Sequence, residues 1–147
     1  MAEAINILDI MIKDHCKIDK LIDKLDDISK QDDYEEFIKA FNKFEWELEK
    51  HIFTEEKAIF TSYTPEDVNY GYKMLPELTK QHNFIVNKLN NWRHDIKKRN
   101  IISDINEMKE FLIKHRKYEE KEVYPKLDQG LSTDEKRHII AKINEII

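Results

Sequence analysis

The stretch His51-Ile-Phe-Thr-Glu55-Glu56-Lys57 returns later in the chain as His115-Arg-Lys-Tyr-Glu119-Glu120-Lys121, and the Ile59-Phe60 after the first copy becomes Val123-Tyr124 after the second. In each copy a histidine and a carboxylate stand at i and i+4, a spacing that stacks two side chains about one turn apart on one face of a helix. The repeat therefore commits the chain to helices, and each copy supplies two side chains able to share a metal ion. Composition points the same way. Only 2 Gly and 3 Pro among 147 residues leave little turn punctuation for a many-stranded fold, while 40% hydrophobic and 37% charged residues suit amphipathic helices. The length is that of one ordinary domain, read here as spanning 1–147.

Apolar residues at alternating spacings of three and four trace four long helices, each with a histidine inside its apolar line. Over residues 3–29 the line is Ile5, Leu8, Met11, His15, Ile18, Ile22 and Leu25. Helix 2, from Tyr34 to about Ser62, carries Phe37, Phe41, Phe44, Leu48, His51, Glu55 and Ile59, with Asp32 or Asp33 as its cap. Thr64-Pro65 reads as a helix start, and Pro76 predicts a short offset piece over 65–74 before a regular third helix with Leu78, His82, Ile85, Leu89 and Trp92. Ser103-Asp104 opens the fourth helix, with Ile105, Met108, Leu112, His115 and Glu119 inward and Pro125 marking its end. After a loop at Asp128-Gln-Gly130, the capping box Ser132-Thr-Asp-Glu135 begins a tail helix over 133–147, with Ile139, Ile140, Ile143 and Ile147 on its apolar side. The expected architecture is all-α: an up-down-up-down antiparallel four-helix bundle over about 3–126, with a short C-terminal helix docked on it.

One histidine per helix, each near mid-helix, lets His15, His51, His82 and His115 converge, with Glu55 and Glu119 facing the same seam. Four imidazoles and two carboxylates in an apolar seam are costly unless a cation compensates them. Six such donors exceed what one transition ion ordinarily takes, so the expectation is a dinuclear site. The donor set suits iron, manganese or zinc and lacks thiolate. The remaining candidates read as ordinary residues. His94 and His138 fall off the seam; Glu56, Glu120 and Glu122 read as solvated charges; Asp19 reads as a supporting or solvated group. Trp46, Trp92 and the phenylalanines read as packing, and Cys16 as structural. No catalytic residue beyond the metal ligands stands out.

The net charge of -5 disfavours nucleic acid, and Lys97-Lys98-Arg99 suits a helix C-terminus better than a phosphate track. No apolar run approaches a membrane span and the N-terminus lacks a signal-peptide pattern. A single cysteine excludes an intramolecular disulfide framework. A cytoplasmic monomer or weak homodimer is expected.

The order His15, His51/Glu55, His82, His115/Glu119 resembles the hemerythrin-like "HHE" cation-binding domains, over roughly residues 5 to 126. The resemblance implies two non-haem iron ions bridged by Glu55 and Glu119, with an oxo, hydroxo or water bridge and the histidines as terminal ligands. Oxygen-carrying members have a fifth histidine one turn after the third-helix histidine; here that place is Val86, with Tyr118, Asp19 and Glu122 as nearby substitutes. The implied function is binding of a small diatomic ligand, dioxygen or nitric oxide, for oxygen binding, sensing or storage, in a pocket formed by Leu48, Ile52, Ile85, Val86 and Leu112. The alternatives are a di-iron redox enzyme acting on nitric oxide or peroxide, served by a redox partner, and an iron-responsive regulatory bundle.

Overall fold

The computed structural model describes residues 6–60, 70–100 and 102–146, with the backbone alone for 70–74 and 127. Among these residues every regular element is helical: α1 Ile7–Ser29, α2 Tyr34–Thr54, α3 Tyr70–Lys97, α4 Ile105–Tyr118, α5 Tyr124–Gly130 and α6 Thr133–Ile146. One π-helical turn, Glu55–Ile59, extends α2, and a second, Glu119–Val123, joins α4 to α5.

The local chemistry accounts for most helix ends. Asp33 accepts from the Glu36 amide at 3.1 Å, and Ser132 and Glu135 close the expected reciprocal box. The end of α3 needs no glycine. Arg99 takes the left-handed conformation, φ 57°, and the Asn100 and Arg99 amides return to the Asp95 and Ile96 carbonyls at 2.9 and 3.0 Å. Asp104 stands at the start of α4 but does not cap it. Its carboxylate instead accepts from Lys88 and from the Trp92 indole, at 2.6 and 2.7 Å.

Two expectations drawn from prolines are corrected. Helix α3 runs unbroken through Pro76, because a proline near a helix start removes one backbone bond and many turns follow to sustain the rest. Pro125 does not end a helix either; it lies in the first turn of α5, directly after the π turn. Residues 128–130 are consequently helical rather than a loop. Asp128 caps α1 from there, accepting from the Ile7 and Leu8 amides at 3.1 and 3.2 Å. The expected cap at Thr64, the piece over 65–69, and Ile5 and Ile147 lie outside the described residues.

The interior falls into two apolar clusters. One gathers Ile18, Ile22 and Leu25 of α1, Phe41, Phe44 and Leu48 of α2, Ile85, Leu89 and Trp92 of α3, and Met108 and Leu112 of α4. The other gathers Ile7, Met11, Ile59, Leu78, Val123 and Tyr124 with Ile139 and Ile143 of the tail helix. Trp46, expected to pack, is instead 66% exposed on the outer side of α2. His15, His82 and His115 each separate the residues of one cluster from those of the other along its helix, and on α2 the change falls between Ile52 and Ala58, beside His51 and Glu55. The polar band therefore lies between two greasy blocks. Among the described residues no helix is long and apolar enough to cross a membrane.

Candidate metal centre

All six predicted donors are buried, with at most 6% of any of them exposed. The helices bring them together as two overlapping groups. His15, His51, Glu55 and Glu119 form one, and Glu55, His82, His115 and Glu119 the other; within each, one donor atom per residue lies within 4.8 Å of all the rest. The two carboxylates belong to both. Glu55 Oε1 is 2.7 Å from His51 Nε2 and 3.5 Å from His82 Nε2. Glu119 Oε1 is 3.1 Å from His15 Nε2 and 3.2 Å from His115 Nε2. Each carboxylate oxygen thus faces one imidazole from each half of the chain.

The outer nitrogens of the imidazoles are all engaged. His15 Nδ1 meets Glu120 Oε2 at 2.6 Å, His51 Nδ1 meets Asp14 Oδ2 at 2.5 Å, His82 Nδ1 meets Glu56 Oε1 at 3.1 Å, and His115 Nδ1 meets Gln81 Oε1 at 2.6 Å. Carboxylate and amide oxygens only accept, so each Nδ1 carries the hydrogen, and a neutral ring then presents a bare lone pair on Nε2. Those lone pairs point at carboxylate oxygens and at each other; His15 Nε2 and His51 Nε2 are 3.1 Å apart. Glu55 Oε1, Glu119 Oε1, His82 Nε2 and His115 Nε2 are buried without a hydrogen-bond partner. Acceptors aimed at acceptors inside a protein repel unless a cation or added protons lie between them. Imidazoles held by a carboxylate or carbonyl behind them are also the usual arrangement of histidine ligands. The residues fit a metal.

Without metal, protons and charge shifts relieve the conflict. Burial opposes charge on His51, but the Glu55 and Asp14 carboxylates outweigh it and lift this imidazole to about 9. Burial, joined by the charge of His51, lowers His15 to about 4. Burial also pushes His115 down to about 3, helped by the neighbouring imidazoles and against the pull of Glu55. The two carboxylates split: burial would raise both, yet His51 holds Glu55 well below the usual range, while Glu119, beside the Glu55 charge, is driven well above it.

Four supporting residues were misread or missed in the sequence. Glu56 and Glu120, expected in solvent, are only 35% and 21% exposed and orient His82 and His15. Asp14 and Gln81 each precede a single histidine by one residue, a correspondence between the halves that could have been noticed. Tyr124 is a fifth supporting residue, and it too was missed. Its hydroxyl donates to Glu55 Oε2 and lies 3.2 Å from Glu119 Oε2, beneath both carboxylates. The π turn puts it there: the Tyr124 amide bonds back to the Glu119 carbonyl, five residues earlier, and π turns concentrate at functional sites.

The other candidates stay outside the donor groups. Val86 is half-buried against the apolar core, Asp19 pairs with Arg116 at 3.0 Å, and Tyr118 packs on the second cluster. Glu122, His94 and His138 are exposed, and Cys16 is an exposed free thiol rather than a packed one. A small cavity touches His15, His51 and His115, and its wall contains Leu48, Ile52, Ile85 and Leu112 but not Val86.

Comparison with known proteins agrees with this geometry. The chain is 27% identical over 134 residues to an uncharacterized hemerythrin-like protein of Schizosaccharomyces pombe, a match covering 90% of this chain and 64% of that protein. The chain therefore spans about two thirds of the length of the curated relative it matches. No solved structure matches it. The family profile described as the hemerythrin HHE cation-binding domain matches residues 6–127, a stretch that holds all six inward donors and the four residues behind them. This chain is thus a member of the hemerythrin HHE cation-binding domain family.

Proposed function

We propose that the chain is a di-iron protein that binds a small diatomic molecule, dioxygen or nitric oxide, for oxygen binding, sensing or storage. His15 and His51 hold one iron, His82 and His115 the other, and Glu55 and Glu119 serve both. The observation that carries this reading is the pair of four-donor groups sharing two carboxylates, with buried donor atoms that lack any hydrogen-bond partner. A pair of irons supplies electrons and open coordination positions. The protein supplies fixed imidazoles and a water-poor setting between two apolar clusters.

Two imidazoles per ion leave positions free for an outside ligand, and Val86 takes none of them. The cavity beside His15, His51 and His115 holds about 20 Å³, room for one small molecule next to the proposed centre. We further read the four long helices as an up-down-up-down bundle forming a single domain. Contacts between the start of α2 and the end of α3 (Tyr34 with Ile96), and between Lys109 of α4 and Asp23 and Asp26 of α1, support that order. A cytoplasmic monomer completes the reading: the exposed thiol of Cys16 suits a reducing compartment, and the tail helix buries Ile139 and Ile143 on its own chain.

The test is an anaerobic preparation with its metal counted, then exposed to oxygen or nitric oxide while the near-ultraviolet and visible spectrum is followed. Two irons per chain and a spectral change that reverses on degassing are expected. Fewer than one metal per chain, or a spectrum indifferent to both gases, defeats the proposal. Sustained consumption of nitric oxide or peroxide in the presence of a reductant would make it an enzyme instead.

A further inference from the structure

The cavity that touches the centre has a neighbour. Nearer the surface between α1 and α4 lies a pocket of about 130 Å³ lined by Asp19, Ile22, Asp23, Lys109, Ile113 and Arg116. Asp19 and Arg116 also stand in the wall of the inner cavity, beside His15 and His115. Arg116 Nε lies 3.0 Å from Asp19 Oδ2, and each side chain is 29% exposed. The ion pair is therefore a partition, with a solvent-side pocket on one face and the approach to the centre on the other.

Two physical features make this partition passable. Both side chains are partly exposed and Arg116 Nε makes no well-formed hydrogen bond, so the pair is weakly held and separates often. Both partners are also terminal side-chain groups, which change rotamer far faster than a backbone element moves. Its charge is the second feature. Arg116 is cancelled by Asp19, and across the same pocket Lys109 is cancelled by Asp23 at 2.9 Å. Asp26 stands 3.5 Å from the same Lys109, so the mouth sets three acids against two bases and offers no positive field to draw an anion inward.

We propose that the Asp19–Arg116 pair is the portal to the metal centre and sets its ligand selectivity, passing small uncharged molecules and giving no advantage to anions. The proposal rests on the di-iron reading, and adds to it two residues that touch no metal. Removing either partner opens the portal but leaves an uncancelled charge, positive in Asp19→Asn and negative in Arg116→Gln. A barrier at a portal affects arrival and departure equally, so an uncharged ligand should gain in both rates and keep its equilibrium constant.

The experiment measures rates on the iron-loaded protein by stopped flow, with nitric oxide on the reduced form and azide ion on the oxidised form, at low ionic strength. Nitric oxide association and dissociation should rise together, by about the same factor, in both variants. Azide association should rise about tenfold relative to nitric oxide in Asp19→Asn and fall by a similar factor in Arg116→Gln, with both effects fading at high salt. Uptake of ferrous ion by the metal-free protein should move the opposite way, slower in Asp19→Asn and faster in Arg116→Gln. Asp19→Asn keeps the side chain's shape and Arg116→Gln shortens it at a partly exposed position, so a melting curve close to that of the parent accompanies the result. An azide-to-nitric-oxide ratio equal in the parent and both variants overturns the portal while leaving the di-iron reading intact. A parent protein that takes up no iron, or binds neither ligand, overturns both.

Discussion

The two halves of the centre are built to one plan and differ at two atoms' worth of chemistry. In each half the residue before the single histidine orients the histidine of the repeated motif: Asp14 holds His51, and Gln81 holds His115. The acid after each shared glutamate crosses to the other half, Glu120 holding His15 and Glu56 holding His82. An aromatic ring closes each side, Phe60 stacked on His82 at 5.9 Å and Tyr124 at 6.2 Å from His15. The differences are a carboxylate against an amide behind the motif histidine, and a phenol against a bare ring. The Asp14 carboxylate joins Glu55 in raising His51, while burial and the neighbouring imidazoles lower His115. His51 is lifted to about 9 whereas His115 is pushed to about 3. A carboxylate behind an imidazole makes it a stronger donor, so the first half should hold its ion with more negative character and stabilise the oxidised metal better.

If Glu55 and Glu119 truly serve both ions, removing a shared donor must do more than removing one that is not shared. Glu55→Ala should abolish binding of both irons, while His82→Ala should leave about one per chain, in the half of His15 and His51. Metal analysis after desalting measures this directly. Equal losses from the two substitutions would show that the halves do not share the carboxylate.

The asymmetry in proton affinity predicts an asymmetry in pH dependence. Protons compete with metal for the same lone pairs. His51 is raised to about 9, so near neutral pH it is charged and its proton must leave before a metal binds; burial and the Glu55 charge raise Glu119 as well. Affinity should therefore increase as pH rises toward 9, by up to about tenfold per pH unit for each proton displaced. Metal titrations in two buffers of different ionisation heat count the protons. A release near zero at pH 7 would refute the assignment.

Asp14→Asn tests the origin of that difference. It should weaken metal binding about 10–100-fold and make the pH dependence shallower, since Asp14 adds to Glu55 in holding the His51 proton. Gln81→Ala should cost less than Asp14→Asn, because an amide contributes orientation without charge. A larger loss at Gln81, measured by competition with a chromogenic chelator, would reverse the ranking of the halves.

Much of this was legible in the sequence. The three-four spacing put His15, His51, His82 and His115 on inward faces, and all four are buried with their glutamates. What was not legible depended on contacts between helices or on a change of helical period. Glu56 and Glu120 lie off the seam of their own helices, so a single-helix reading assigned them to water; they are drawn in by imidazoles on neighbouring helices. Asp14 was passed over for the same reason. Pro76 and Pro125 were read as breaks because the sequence does not show how little a helix loses when proline falls near its start. Tyr124 escaped because an α-helical period of 3.6 turns residue i+5 away from Glu119, whereas the π turn brings it back underneath.

Tyr124 also offers the most delicate way to sharpen the comparison, because Phe60 shows what the same position looks like without a hydroxyl. In the metal-free protein the Tyr124 hydroxyl satisfies Glu55 Oε2, an atom sealed from water. Tyr124→Phe keeps the ring beside His15 but strands that oxygen, and should lower metal-free stability by about 1–3 kcal/mol in urea unfolding. Iron should recover much of the loss, since a cation near the carboxylates offsets the missing donor. The ligand count should stay at two irons per chain, which separates Tyr124 from the six inward donors. Its effect should appear in the reduction potential instead: with one fewer donor drawing charge from Glu55, the carboxylate donates more strongly to the metal and the potential falls. A substitution that changes stability equally with and without iron, and leaves the potential where it was, would reduce Tyr124 to packing and make the two halves more alike than their side chains suggest.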